Sequence, residues 1–413
     1  MDVVVVGNGI AGNTVAETIL SVDPQAKVTI ISDEPLPEYS ACILCDYISG
    51  ALPKQRVFLK NKKDYSALGI KTLFGRRIEG FDPFKKRIVV GNRDHPYEKL
   101  ILATGSEPIL LPIKGVEKKG VFCLKTLSDA EAILKHNGKK AVVVGSGPIG
   151  IEATVALKKK GYEIHLVEIL GWILPKLLDE RCSVIAADIL GKNGVDVIVG
   201  ERVNEIYGKK TVEGVSTDQR QILCDTVILS AGMKPRTEMA RRSGIDLGQY
   251  GGIKVNARME TNYPDVYACG DCAEVMFSET GESILSLLWF SAKQEGKIAG
   301  LNSAGVVREY SVPMNVISLK VFGTYIASIS HPSYSTDQTY EDKERRFGDV
   351  YCRMLLDHGT MKSIQIVGKS DELGIFSTFI RKGEKFEKIR KYVDLRGGPS
   401  LFPWYERISY YLC

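Results

Sequence analysis

Asp2-Val-Val-Val-Val6-Gly7-Asn-Gly9-Ile10-Ala11-Gly12 opens the chain after Met1. Four successive valines read as a buried strand, and the glycines that follow have G-x-G-x-x-G spacing. In such a loop the first glycine permits a tight turn. The second lets the backbone approach a pyrophosphate, and the third allows close helix–strand packing. A helix is read over Gly12–Leu20 and a second strand over Lys27–Ser32. Strand, glycine loop, helix and strand together predict a parallel α/β sheet with phosphates at the helix N-terminus. Gly7, Gly9, Ile10, Ala11 and Gly12 are therefore candidate dinucleotide contacts. A ribose hydroxyl calls for an acid at the end of the second strand. Asp33 and Glu34 both stand there, and the spacing does not choose between them.

The same pattern returns over Lys140–Glu168. Ala141–Val144 is apolar and Gly145-Ser-Gly147-Pro148-Ile149-Gly150 follows it. Glu168 ends the next strand, where a carboxylate accepts from a free 2′-hydroxyl and repels a 2′-phosphate. Ile169 and Leu170 come next, with no arginine to neutralise a phosphate, so NADH is expected over NADPH. Between the two copies Leu100–Pro108 is an apolar strand ending in a small-residue turn. Thr226–Gly232 and Val266–Asp271 have similar character, and from about Ser311 strands, one of them read over Leu319–Ser330, alternate with Gly, His and Asp turns. The expected architecture is α/β: two Rossmann-like domains and a C-terminal α+β domain. The boundaries read are 1–112 with 246–310, then 113–245, then 311–413.

The chain has 413 residues, 44% hydrophobic and 25% charged, enough for two or three domains with real cores. Its net charge of +5 comes without a dense basic stripe interleaved with aromatics, which argues against nucleic acid. No apolar run approaches the roughly 18 residues of a membrane helix, and the first residues read as a folded strand, not a signal peptide. A soluble, cytoplasmic protein is expected. The nine cysteines are scattered, unlike a secreted disulfide framework. Two pairs have CxxC spacing, Cys42/Cys45 and Cys269/Cys272; nothing in the pattern gathers them on a metal. The aromatic tail around Phe402–Tyr405 and Tyr410-Tyr411 suits packing on its own domain or on a homodimer mate.

Two glycine loops, Leu102-Ala-Thr-Gly-Ser106 between them and Ala268-Cys-Gly-Asp-Cys-Ala-Glu274 near the end resemble the FAD-dependent pyridine nucleotide-disulfide oxidoreductase superfamily. The resemblance covers nearly the whole chain. It is strongest to the branch holding NADH oxidases, coenzyme A-disulfide reductases, rubredoxin reductases and nitrite reductase flavoproteins. It implies FAD and NADH as cofactors. It further implies that Gly270-Asp271 holds the ribityl and phosphate region, and that Ala103, Thr104 and Gly105 line the flavin side. Glu152 would lie near flavin and nicotinamide. Gly232 and Pro235 would close the nicotinamide side, and the helix with Leu288, Trp289, Gln294 and Gly296 would face the isoalloxazine.

Tyr39-Ser-Ala-Cys42-Ile-Leu-Cys45-Asp-Tyr47-Ile-Ser-Gly50 is where the chain departs from its relatives. Cys42 falls on the single redox cysteine of a motif like SCGLPYYISG, so it is a candidate thiolate at the flavin. Cys45 takes the place of that motif's proline. In the YxRxxLSK motif of the carrier reductases, the lysine that pairs with the acid at Glu152 is Asp46 here. Two carboxylates near a flavin would leave one of them holding a proton at neutral pH. Cys45 reads either as a partner thiol or as a buried small hydrophobe, and Cys269/Cys272 read as structural.

The implied activity is hydride transfer between NADH and FAD, with electrons passing to or from a second partner. The leading reading of that partner is a small iron–sulfur carrier of rubredoxin or ferredoxin type, within or outside a larger redox complex. The alternatives are an NADH oxidase or a disulfide or polysulfide reductase using Cys42, and a non-catalytic NADH-sensing subunit.

Overall fold

The structure, a computed structural model, describes residues 1–277, 281–332, 334, 338–347, 350–368 and 373–393. The aromatic tail singled out above lies outside the described residues. The first sheet is parallel and five-stranded, in the order Val266–Ala268, Lys99–Leu102, Asp2–Val6, Lys27–Ser32, Lys71–Phe74. The valine strand is central, with Val3 aligned to Val28 on one side and Lys99 on the other. Val3 to Val6 are all buried, as a strand covered on both faces requires. The helix Ile10–Val22 starts immediately after the glycine loop and turns Val15, Ala16 and Ile19 inward. The helix Trp289–Ser303 crosses it at close range because Gly296 and Gly300 face it. A Cβ on Gly296 would sit 2.5 Å from the Ala11 carbonyl oxygen.

The second sheet repeats the plan: Val195–Val199, Glu163–Glu168, Lys140–Val144, Thr226–Leu229, Val121–Phe122, all parallel. The third is antiparallel, ordered Asn315–Val321, Thr324–Ser330, Thr360–Gly368, Val350–Asp357, Glu341–Phe347. Here one sequence expectation is corrected. Leu319–Ser330 is not a single strand, because Phe322 and Gly323 take positive φ (47° and 90°) and fold it into a hairpin. The helix Leu373–Lys382 covers this sheet through Phe376 and Ile380, which makes the unit α+β.

Among the contacts that bring these units together, two frame the cleft and the cysteine segment. Ser106–Pro108 pairs antiparallel with Met233–Pro235, tying the end of the first sheet's Lys99–Leu102 segment to the turn after Thr226–Leu229. The short helix Leu44–Ser49 packs on the helix Pro148–Lys159, so that Leu44, Ile48, Ile151, Val155, Leu319 and Val321 share one apolar cluster. No helix among the described residues is long and apolar enough to cross a membrane.

Candidate active site

A cleft of about 1150 Å³ opens along the C-terminal ends of the first sheet, where α/β sheets bind ligands. Its wall includes Gly7, Gly9, Ile10, Ala11, Asp33, Glu34, Cys42, Ala103, Thr104, Gly105, Gly270, Asp271 and Trp289. Sequence reasoning had proposed every one of them. Gly12 lies behind that wall, and Gly145, Gly147, Pro148, Ile149, Gly150, Glu168, Gly232, Cys45 and Glu152 are not on it.

The glycines divide their work as the motif predicts. Gly7 has φ +116°, and a Cβ there would meet the Ala103 carbonyl oxygen at 2.0 Å. A Cβ on Gly12 would meet the Gly7 oxygen at 2.1 Å, whereas Gly9 faces open space. In the second loop, a Cβ on Gly145 would lie 2.6 Å from the Ser230 oxygen. One on Gly150 would lie 2.0 Å from the Gly145 oxygen, and Gly147 is open. The helices that start at Gly9 and Gly147 have no side-chain cap, nor do those at Ile43, Thr237 and Leu288, but of these five only the first two follow a glycine loop at the end of a parallel strand. First-turn N–H groups without a capping oxygen need another acceptor, and a phosphate supplies one. The residues therefore fit one dinucleotide at each loop.

The two acids after Lys27–Ser32 have different partners. Asp33 accepts from Arg236 Nη2 at 2.6 Å, and Glu34 accepts from the Tyr39 hydroxyl at 2.8 Å. Burial pushes the Asp33 carboxyl up, but the Arg236 hydrogen bond and charge outweigh it and hold the carboxyl below its ordinary range. Burial pushes Glu34 up, and the neighbouring Asp33 charge adds to this. Asp271 accepts from Ser106 Oγ at 2.6 Å and from Lys125 Nζ at 3.2 Å. Behind it the buried Glu295 accepts the Gly270 N–H at 2.8 Å, and burial raises its carboxyl to about 8. Glu168 is buried and locked, accepting from Ser146 N (2.9 Å), Ser146 Oγ (2.7 Å) and Leu170 N (3.0 Å).

Arg236, Tyr39, Ser106, Lys125, Ser146 and Glu295 escaped the sequence reading. Tyr39, Ser106 and Ser146 lie inside quoted motifs and Glu295 lies between Gln294 and Gly296, so all four could have been found there. Arg236 directly follows the Gly232–Pro235 turn, but its partner Asp33 is far away in the chain.

The cysteine segment forms a short 3₁₀ turn, Ala41–Ile43, running into the helix Leu44–Ser49. Cys42 lines the cleft, and Cys45 packs against the apolar cluster shared with Ile151. Burial raises the Cys45 thiol well above its ordinary value, and the Glu152 and Asp46 charges add to this. Burial raises Glu152 itself to about 7, with Asp46 the charge that reinforces the shift. Asp46 is exposed and Glu152 partly buried, so Glu152 is the carboxyl that carries a proton near neutrality. Cys269 and Cys272 are fully buried in the first core, with Cys272 Sγ donating to the Leu102 oxygen at 3.4 Å. Every cysteine among the described residues is a thiol.

A pH dependence follows from Glu152. The folded carboxyl titrates near 7 and the unfolded one near its ordinary 4.5. The folded state thus binds more protons in between, and this contribution to stability falls as pH rises through that window. The shift corresponds to at most about 3 kcal/mol, less because the side chain keeps some contact with water. Glu152→Gln is expected to remove that slope in urea unfolding midpoints measured across the window. An unchanged slope would refute the assignment.

Paired parallel-sheet units with open glycine loops define a protein with two dinucleotide sites, the class to which FAD-dependent NAD(H) oxidoreductases belong. Residues 1–295 match the pyridine nucleotide-disulphide oxidoreductase family, and the chain belongs to it. It is 34% identical to an NADH oxidase of Methanocaldococcus jannaschii over 346 residues, 80% of this chain and 77% of that protein. It is 32% identical to the Escherichia coli nitrite reductase (NADH) large subunit over 385 residues, 90% of this chain but 44% of that protein. Among solved structures, a NAD-dependent persulfide reductase from A. fulgidus superposes with a TM-score of 0.88 at 25% identity, covering 97% of this chain and 80% of that one.

Proposed function

We propose that electrons taken from NADH leave through Cys42 to a low-molecular-weight disulfide or persulfide. One observation carries this reading: Cys42 lines the same cleft as Gly9, Ala103–Gly105 and Asp271. The likeness to the persulfide reductase supports it. FAD, when bound, accepts the hydride and stores two electrons. The protein's part is to bind and orient. Residues 1–112 and 246–310 would hold FAD and 113–245 would hold NADH, and Leu319 and Val321 of the third unit cap the Cys45 side. The Gly7–Gly12 loop takes the pyrophosphate. Asp33, held below its ordinary range by Arg236, would accept the ribose hydroxyl, and Asp271 with Lys125 would face the ribityl region. The Gly145–Gly150 loop and Glu168 do the same for NADH. The turn with Gly232, next to the Ser106–Pro108 ribbon, would close the nicotinamide side, and Trp289, on the cleft wall, would flank the ring.

Glu168→Ala should lower kcat/KM for NADH by about 10–100-fold, the worth of a charge-assisted hydrogen bond, and narrow the preference over NADPH. Loss of rate with both cofactors equally would count against a ribose contact.

The test of the acceptor uses wild-type protein reduced by NADH and mixed rapidly with oxidised coenzyme A, polysulfide or rubredoxin. Flavin reoxidation at least about tenfold faster with a sulfur acceptor supports the proposal. Reoxidation by rubredoxin alone would overturn it in favour of the second reading, an electron-carrier partner or complex subunit. That reading is supported by the likeness to the nitrite reductase large subunit. Reoxidation by none of them would favour an NADH sensor.

A further inference from the structure

We infer that Glu295 is a positioning residue for FAD, held as a neutral acid that fixes the Gly270–Asp271 turn, and that loss of its proton weakens FAD binding. This rests on the proposed placement of the FAD pyrophosphate at the Gly7–Gly12 loop with Asp271 beside it. It gives a role to a buried carboxyl that stands one layer behind the cleft wall.

The first support is geometry. Glu295 lies on the helix Trp289–Ser303 and is 2% exposed. Its Oε2 accepts the Gly270 N–H at 2.8 Å. The Tyr310 hydroxyl, which also bonds Ser291, is the second hydrogen-bond partner of the carboxyl. Gly270 has φ +76°, and a Cβ there would lie 2.8 Å from the Ala11 Cβ. Gly296, next to Glu295, packs against the Ala11 backbone as well. Glu295 therefore stands where the Gly270–Asp271 turn, the glycine-loop helix Ile10–Val22 and the helix Trp289–Ser303 meet. Cys269, Gly270 and Asp271 all lie on the cleft wall, so a shift of the Gly270 N–H moves the wall itself.

The second support is the charge environment. From the turn, Glu295 is faced by Asp271 and by the buried Cys269 thiol. Tyr310 faces it from beyond the end of its own helix. The glycine-loop helix meets this stretch through Ala11, Val15 and Thr18, none of them charged. Among the described residues, no Lys or Arg is one of the groups that act on it. Burying an ionised carboxylate without a cation is costly, and one backbone N–H does not offset it. Burial accordingly raises the carboxyl to about 8, and the Asp271 charge adds to the shift. A neutral acid accepts from Gly270 and donates to Tyr310, whereas a carboxylate only accepts. FAD brings the negative charge of its pyrophosphate to the wall that already carries Asp271, so a charge on Glu295 opposes it. The FAD-bound protein thus holds more protons than the apoprotein once pH passes about 8, and affinity falls as pH rises from there.

The experiment titrates FAD into the full-chain apoprotein from about pH 6 to 9.5, following flavin fluorescence. Calorimetry in buffers of different ionisation enthalpy counts the protons taken up on binding. For wild type the FAD dissociation constant should rise above about pH 8, by up to about tenfold per pH unit, with proton uptake in the same range. Glu295→Gln keeps an acceptor for the Gly270 N–H and a donor for Tyr310 without a titratable group. It should bind FAD within about threefold of wild type near pH 7, and both the rise and the proton uptake should disappear. Glu295→Ala should bind at least about tenfold more weakly near pH 7, because the Gly270 N–H loses its acceptor. Urea unfolding of each apoprotein reports folding, and Glu295→Gln decides the question by itself. If Glu295→Gln kept the wild-type pH slope and proton uptake, the proton would belong to another group and the inference would fall with the FAD site intact. A wild-type affinity in Glu295→Ala would likewise overturn the positioning role. No FAD binding by wild-type apoprotein would instead remove the proposed FAD site, and the inference with it.

Discussion

Gly7→Ala yields protein without flavin. The position combines φ +116°, which L side chains rarely adopt, with a Cβ that would lie 2.0 Å from the Ala103 carbonyl oxygen. Neither partner can yield cheaply. Gly7 N–H donates to the Ile31 oxygen at 2.8 Å and Ala103 N–H donates to the Val6 oxygen at 2.8 Å, so both backbones are pinned to the sheet. Strained φ/ψ and overpacking each cost of order 1–3 kcal/mol, which together correspond to about a hundredfold or more in FAD affinity. The loop would be displaced from the cleft it lines. The measurement is the ratio of flavin to protein absorbance after purification, with a fluorescence titration of FAD into the apoprotein. Gly9→Ala is the control that isolates the cause. Nothing lies within 4 Å of its Cβ, so the apoprotein should unfold at the wild-type denaturant concentration while FAD binding weakens. Wild-type FAD affinity in Gly7→Ala would show that the tight approach is not needed.

Cys42→Ser should leave flavin reduction by NADH within about twofold of wild type and reduce turnover with oxidised coenzyme A by at least about a hundredfold. The two halves of the reaction would separate because the proposed hydride route uses the second glycine loop and the nicotinamide side, whereas Cys42 stands on the cleft wall. A hydroxyl is a far weaker sulfur nucleophile than a thiolate, so the sulfur step has no substitute. Rapid mixing under single-turnover conditions reads each half directly. If Cys42→Ser turned over the disulfide at the wild-type rate, the electrons would have to leave by another face of the flavin, and a carrier protein would become the better acceptor.

Much of this molecule is legible in the chain because the responsible interactions are local. Asp2–Val6 and Lys27–Ser32 match the observed strands, since runs of β-branched residues bounded by glycine leave little choice. The roles of Gly7, Gly9 and Gly12 follow from backbone sterics within one turn. The first helix was read short: it starts at Ile10 and not Gly12, because an N-terminus capped by no side chain gives no residue signal. The Leu319–Ser330 hairpin was missed because Phe322 adopts a positive φ that a phenylalanine does not announce.

What only packing decided concerns charges that meet across the chain. Residue spacing places Asp33 and Glu34 at the same strand end, but Arg236, brought in by the Ser106–Pro108 and Met233–Pro235 ribbon, pairs with Asp33 and holds its carboxyl below the ordinary range. Lys125 reaches Asp271 in the same way. The resemblance to the YxRxxLSK motif implies a lysine position at Asp46. It cannot show that Glu152 is the buried partner, because burial is set by the helix Leu44–Ser49 lying on the helix Pro148–Lys159. Periodicity and glycine spacing thus determine two dinucleotide folds, since those are short-range constraints. Which carboxyl keeps its proton depends on desolvation, a property of the assembled core.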